Sequence, residues 1–306
     1  MDSSMFSVQL QSLSKTYHTG FRRRVEALKD ISLSVKENEI FGFLGPNGAG
    51  KTTALKIITG LIKPTKGAVL VFDAPVSSVL VREKIGFLPE HPSYYGHLTG
   101  FEVLDFACGL FGIASSKEKI HALLGRIGLW EKAKVRVSEY SKGMIQRLGI
   151  AQALVNDPEL VILDEPLSGL DPLGRKELKD IIVSLKDEGK TVFFSTHILA
   201  DVERICDRVG ILHKGRLLKV GELADLLSER KRNVMVTFVY KGKKEQSFIK
   251  DAKRTAEGYW SASVETEQQK DMIRGLLKSG ADIISIIPES MSLEEVFVSE
   301  IEKDEN

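Results

Sequence analysis

Lys51 and Thr52 close the run Gly45-Pro46-Asn47-Gly48-Ala49-Gly50-Lys51-Thr52, whose spacing is G-x-x-x-x-G-K-T. Each part of that pattern suits phosphate. Glycines let backbone N–H groups turn inward around phosphate oxygens, in conformations that a Cβ obstructs. A lysine ammonium can neutralise the outer phosphates of a nucleotide, and the Thr52 hydroxyl can ligate Mg²⁺. Further along, Leu160-Val161-Ile162-Leu163 runs into Asp164-Glu165. Four apolar residues followed by an acid describe a buried strand that delivers a carboxylate at its C-terminal end. That is the edge where open α/β sheets bind ligands. Asp164 is then expected to hold Mg²⁺, directly or through water. Glu165 points elsewhere and can polarise an attacking water.

Such a site needs a strand before the glycine loop and a helix after it. Ile40, Phe41, Phe43 and Leu44 supply the apolar strand. Thr53-Ala54-Leu55-Lys56-Ile57-Ile58 carries apolar residues at helical spacing and stops at Gly60. The helix N-terminus adds partial positive charge beside the phosphates. The phosphate-binding stretch is read as Gly45 to Thr53.

The remaining pattern alternates strands and helices. Strands are expected around Val8 and Leu10, over Ala27–Val35, Ala68–Phe72, Ile85–Glu90, Leu160–Leu163 and Thr191–Ser195. Helices are expected over Leu173–Lys186 and Ile198–Ile205, and a hairpin over Val209–Val220 turning at Lys214-Gly215. This order argues for a largely parallel sheet covered on both faces, an α/β fold. His18 to Arg24 reads as a hairpin tip whose three arginines could touch a phosphate or a partner, or lie in solvent. A helical insert is expected over residues 91–154. It carries capping-box patterns at Thr99/Glu102 and Ser115/Glu118.

From Glu222 the character changes. Ser228 to Asn233 is charged and linker-like. Beyond it lie strand candidates Val234–Tyr240, Tyr259–Val264 and Ile283–Ile287. Helix candidates are Gln268–Leu277 and Leu293–Ile301, with capping boxes at Thr266/Gln269 and Ser292/Glu295. The expected division is therefore residues 1–222 and a small α+β domain over 223–306.

The bulk properties exclude several classes. The chain has 306 residues, 42% hydrophobic and 28% charged, with a net charge of +1. No global electrostatic footprint for nucleic acid exists. Cys108 and Cys206 form no C-x-x-C pair and are expected to be buried thiols. A signal peptide and a membrane-spanning run are not expected, so membrane work would need other chains.

Tyr140-Ser141-Lys142-Gly143-Met144, followed by Gln146-Arg147, resembles the signature motif of ATP-binding cassette (ABC) transporter subunits. Pro166 to Asp171 resembles the D-loop of that family, and His197 in Ser195-Thr196-His197 resembles its switch histidine. The motifs follow the family's order across roughly residues 6 to 220. The resemblance implies a P-loop NTPase fold, with a RecA-like α/β core, an antiparallel β subdomain and the helical insert. It implies binding and hydrolysis of ATP with Mg²⁺, Glu165 as the base, and His197 beside the γ-phosphate with Lys51. It implies that Ser141 and Gly143 face a nucleotide held by a second cassette, that Asp171 lies at that junction, and that Tyr17 stacks on adenine. Its partners would be a second ABC ATPase subunit, a homodimer being permitted, and separate membrane permeases. The location would be the cytoplasmic face of the membrane.

Two positions depart from the family's pattern. Lys142 stands where a second glycine is usual, and can point to solvent or add charge near phosphate. Glu90 stands where the Q-loop carries glutamine, and its carboxylate can also ligate Mg²⁺. Both variants, with Leu293-Glu294-Glu295-Val296-Phe297, resemble the ABC-2 type exporter branch. Two other readings are a soluble ABC ATPase of translation or repair, and a regulatory ATP sensor. One cassette per chain, without coiled coils or zinc motifs, weighs against the first. Intact Asp164, Glu165 and His197 weigh against the second.

Overall fold

The computed structural model describes residues 5–19, 23–114, 116–228, 233–240, 252–255, 257–288 and 292–305. It has two compact units, Met1–Leu223 with Glu300–Asn306, and Ala224–Ser299.

In the first unit, β1 (Phe6–Thr19) and β2 (Arg23–Lys36) form a long bulged antiparallel hairpin. Its strands run further towards the arginines than expected, and residues 20–22 of the expected tip lie outside the described residues. β3 (Ile40–Leu44) is buried along its whole length, as a central parallel strand must be. α1 (Lys51–Ile58) follows the glycine loop. β4 (Lys66–Val71) and β5 (Ala74–Pro75) complete a four-stranded antiparallel sheet, β2-β1-β4-β5. The short α2 (Val79–Arg82) leads to β6 (Ile85–Leu88). The insert consists of α3 (Gly100–Leu110), α4 (Lys117–Arg126), two short 3₁₀ turns and α5 (Lys142–Ala153).

Then β7 (Leu160–Asp164), α6 (Pro172–Asp187), β8 (Thr191–Thr196) and α7 (Leu199–Ile205) alternate. The hairpin of β9 (Arg208–His213) and β10 (Arg216–Glu222) turns at Lys214-Gly215, both at positive φ. The six-stranded sheet has the order β10-β9-β3-β8-β7-β6, parallel apart from β10.

The two sheets and α1 share one core. Phe41, Phe43 and Phe193 of the parallel sheet pack in it with Val8, Leu10 and Leu13 of β1 and Leu55 of α1. The insert has its own core, where Leu104, Ile120, Leu124 and Leu148 are fully buried. Removing any of these side chains to alanine is expected to cost about 2–5 kcal/mol.

α8 (Leu223–Ser228) follows β10, and residues 229–232 of the expected linker lie outside the described residues. The second unit contains β11 (Asn233–Val239), β12 (Lys253–Arg254), β13 (Trp260–Glu265), α9 (Gln269–Lys278) and β14 (Asp282–Pro288). Its antiparallel sheet has the order β12-β13-β11-β14, and Val236, Phe238 and Leu276 are fully buried in its core. The last helix is α10 (Leu293–Glu305).

Several local expectations are corrected. The cap of α4 is Ser116, whose Oγ accepts from Lys119 N at 3.1 Å, so Glu118 sits one position too early for a reciprocal box; Ser115 lies outside the described residues. α9 starts at Gln269 itself after a turn from Glu265 to Gln268. Thr266 is therefore too far upstream to cap it, and Gln268 caps it without a side-chain bond. The boxes at Thr99/Glu102 and Ser292/Glu295 are both formed. Glu102 and Glu118 both have pKa values held below the usual range. For Glu102 the main cause is the Thr99 backbone N–H; for Glu118 it is its own backbone N–H.

Cys108 is buried, whereas Cys206 is partly exposed as a residue. Its Sγ still points inward, since a Cβ on Gly42 would lie 2.7 Å from it. Burial pushes both thiols up, Cys206 well above the ordinary value. Finally, Glu300–Asn306 group with the first unit, where Glu300 lies 3.8 Å from Lys219 and Asp304 lies 3.4 Å from His213.

Candidate nucleotide site

The glycine loop leaves β3 at Leu44 and is pinned at its root, where Gly45 N donates to Thr196 O at 3.2 Å. Gly50 has φ 112°, and a Cβ there would overlap Ala27 O of β2. Glycine is therefore required twice over, by conformation and by space. The next residue, Lys51, opens α1 and is only 5% exposed. Its Nζ curls back over the loop, donating to Gly45 O at 2.7 Å and Pro46 O at 3.2 Å. It also stands 3.1 Å from Glu165 Oε1.

Glu165 is the first residue beyond β7 and adopts φ 49°. A left-handed conformation costs a non-glycine residue about 1–2 kcal/mol. The kink turns its side chain away from the strand's alternation. One carboxylate oxygen meets Lys51 and the other lies 2.8 Å from His197 Nδ1. Ser195 secures this corner. Its Oγ donates to Asp164 Oδ1 at 2.7 Å and accepts from Glu165 N at 3.0 Å. Asp164, Glu165, Lys51 and Ser195 are all buried; the Lys51 charge meets Glu165, and the Asp164 carboxylate is met by the Ser195 hydroxyl. His197 is partly open to solvent.

Beside this network lies a cleft of about 330 Å³, lined by Asn47, Gly48, Gly50, Thr52, Thr53 and Glu90 together with Lys51, Glu165 and Ala27. Glu165 Oε1 faces the Lys51 charge but receives no aligned hydrogen bond. An incoming polar group can satisfy it at little cost. The donors at hand are oxygens: the Thr52 hydroxyl and the carboxylates of Asp164 and Glu90. Among the described residues no group of three His, Cys, Asp or Glu side chains is placed to hold a metal. Few carboxylates, with the rest of the coordination left to phosphate and water, is what Mg²⁺ prefers. The residues present therefore fit Mg²⁺ bound together with a nucleotide.

Other predicted site residues stand apart from the cleft. Tyr17 pairs with Val25 across the β1–β2 hairpin, is 37% exposed and has Lys15 Nζ 5.1 Å from its ring centre. Ser141 caps α5, its Oγ accepting from Met144 N at 3.3 Å. Asp171 caps α6, its Oδ1 accepting from Gly174 N at 3.0 Å, with Pro172 in the first helical position. Lys142 is exposed, as one of its two alternatives has it, and its side chain lies along Gly169, where a Cβ would collide with Nζ. Gly143 sits nearby, since a Cβ on it would lie 3.7 Å from Leu170.

The ABC transporter family model matches residues 28–168. An uncharacterized ABC transporter ATP-binding protein of Nostoc sp. is 42% identical over 97% of this chain and 90% of its own length. The bacitracin transport ATP-binding protein BcrA of Bacillus licheniformis is 37% identical over 95% of this chain and 96% of its own. This chain belongs to the ABC transporter ATP-binding proteins. A dimeric ATP-binding cassette in a post-hydrolysis state, bound to ADP and Pi, matches it with a TM-score of 0.65. That match has 30% identity and covers 71% of this chain and 98% of the other. The chain is thus an ABC ATPase, the ATP-binding and ATP-hydrolysing subunit of a transporter. Another similar structure, from Clostridium perfringens, is cbiO1, part of the ABC transporter complex cbiONQ, with a TM-score of 0.63 and 28% identity over 74% of this chain and 92% of its own. Among the described residues, no helix is long and apolar enough to cross a membrane.

Two residues of the ABC site stand inside motifs named from the sequence but were given no role there. Ser195 is one; its signal was a hydroxyl following three apolar residues within a buried strand. Gln146 is the other. It is buried in α5 and donates Nε2 to Glu90 O at 3.2 Å, linking the signature helix to the segment that lines the cleft. A glutamine at a buried helix position gives no hint of so distant a partner.

Proposed function

We propose that this chain powers export of a substrate chosen by separate permease subunits, working as a pair of identical cassettes on the cytoplasmic face of the membrane. Residues 1–222 are the ATPase cassette in this reading, and the segment from 223 is an accessory domain. The observation that carries it is the placement of Glu165 between Lys51 and His197. A carboxylate so placed can take a proton from water while the lysine holds the phosphate being attacked.

The steps follow from residues already described. Backbone N–H groups from Gly45 to Thr53 cradle the phosphates, and Lys51 exchanges the carbonyls of Gly45 and Pro46 for phosphate oxygens. Asp164, Thr52 and Glu90 would hold Mg²⁺, which supplies charge neutralisation of the β- and γ-phosphates. His197 orients Glu165 and faces the γ-phosphate. Tyr17 stacks on adenine. The N-terminus of α5, with Ser141 and Gly143, and the Asp171 turn face the nucleotide of the opposite cassette. Closure is driven by binding and released when the γ-phosphate contacts are lost. Export, rather than uptake, is supported by the departures at Lys142 and Glu90 and by the Leu293–Phe297 segment. The likeness to a bacitracin transport subunit agrees with it.

The test is pairing. Glu165→Gln, purified with ATP and Mg²⁺, should elute as a dimer in size-exclusion chromatography and as a monomer without nucleotide. A variant that stays monomeric at saturating ATP, even with its permease present, overturns the reading.

A further inference from the structure

His197 is held on one side only by its bond to Glu165. Its backbone joins the end of β8 to the start of α7, so the attitude of α7 sets where the imidazole stands. The N-cap of α7 is Ile198, which offers no side-chain oxygen, although its own N–H is held by Thr196 Oγ1 at 3.0 Å. Two residues of the helix anchor it: Val202 is fully buried against Gly42 of β3, and Asp201, in the first turn, reaches α6. Asp201 is 0% exposed. Its carboxylate lies 2.6 Å from Lys179 Nζ and 3.9 Å from Arg175, both on α6. Neither carboxylate oxygen receives an aligned hydrogen bond, so charge alone holds the contact. α6 begins immediately after Asp171. One ion cluster, centred on the buried Asp201 with Arg175 at its more open side, thus ties together the two helices that follow the His197 and Asp171 turns. The far end of this segment is tied separately, through Lys186 to Asp207 at 2.6 Å.

We propose that Asp201 is a positioning residue for hydrolysis: clamped to Lys179 and Arg175, it sets α7 so that His197 meets Glu165. The inference rests on the role given above to His197. Desolvated charges hold position firmly, because losing one partner strands the other. Small misplacements at a reacting centre are costly, up to about 100-fold for one ångström.

The experiment is a double-mutant cycle on the full chain with a structural readout. Asp201→Asn should lower kcat about 10- to 100-fold with KM for ATP nearly unchanged. Added to His197→Ala it should cost nothing more, because both act through the same imidazole. In nucleotide-free protein, the ring nitrogen signals of His197, identified by their absence from His197→Ala, should shift in Asp201→Asn. Asp201→Glu should restore most of the rate. Should Asp201→Asn fold poorly, Lys179→Gln, which keeps Arg175 as a partner, should move the same signals. Costs that multiply in the cycle, or unmoved imidazole signals in a folded variant, overturn the proposal. Full turnover in His197→Ala would instead remove the role of His197, and the imidazole signals alone would then decide the Asp201 clamp.

Discussion

The Glu165 corner and the N-terminus of α5 belong to the same reaction, but this chain builds them in opposite ways. At the corner, the buried Lys51, Glu165, Asp164 and Ser195 and the partly exposed His197 bond into one network drawn from α1 and the ends of β7 and β8. At α5, among the described residues, the Ser141 side chain bonds to its own helix alone, and Asp171 does the same for α6. Buried charges must be matched within the fold or the fold is lost, so the corner is complete in one chain. Exposed helix ends can be satisfied locally and still offer N–H groups to a ligand. The difference separates properties of one cassette from properties of two.

The largest expected effect falls at the corner. Glu165→Gln keeps shape and burial but removes the base, and should slow ATP hydrolysis about 10²–10⁴-fold while ATP still binds. A phosphate-release assay at normal rate would take Glu165 out of the role. Next comes Lys51→Ala. It deletes a charge-assisted contact worth about 1.5–3 kcal/mol, so ATP affinity measured by calorimetry should fall roughly 10- to 100-fold. Unchanged affinity would show that the cradle does not depend on its lysine.

Much of the corner was legible because its parts are local. A glycine loop needs its spacing, and a strand ending in Asp-Glu delivers acids to a known edge. The way Glu165 turns was not legible. Its φ of 49° depends on Ser195, a residue of a neighbouring strand that accepts from Glu165 N. Helix starts were mixed for the same reason. Thr99 and Ser292 cap where the pattern put them, but α4 is capped by Ser116, one residue after the serine of the expected box. The affiliation of residues 300–306 with the first unit could not be read either, since pairing of Asp304 with His213 joins positions far apart in the chain.

The smallest effect sharpens the comparison most. Ser141→Ala removes the cap of α5 and should cost about 1 kcal/mol, a small drop in melting temperature for the isolated chain. ATP affinity of the monomer should not change, because Ser141 stands apart from the cleft. Nucleotide-driven pairing, followed in the Glu165→Gln background by chromatography, should weaken by much more than that stability loss explains. If pairing weakens no more than the fold does, the hydroxyl serves its own helix alone, and the second half of the site must lie elsewhere on the surface of this chain. If monomer ATP affinity falls as well, the two regions are coupled within a single cassette. Gln146, which joins α5 to the backbone of Glu90, is then the path to examine.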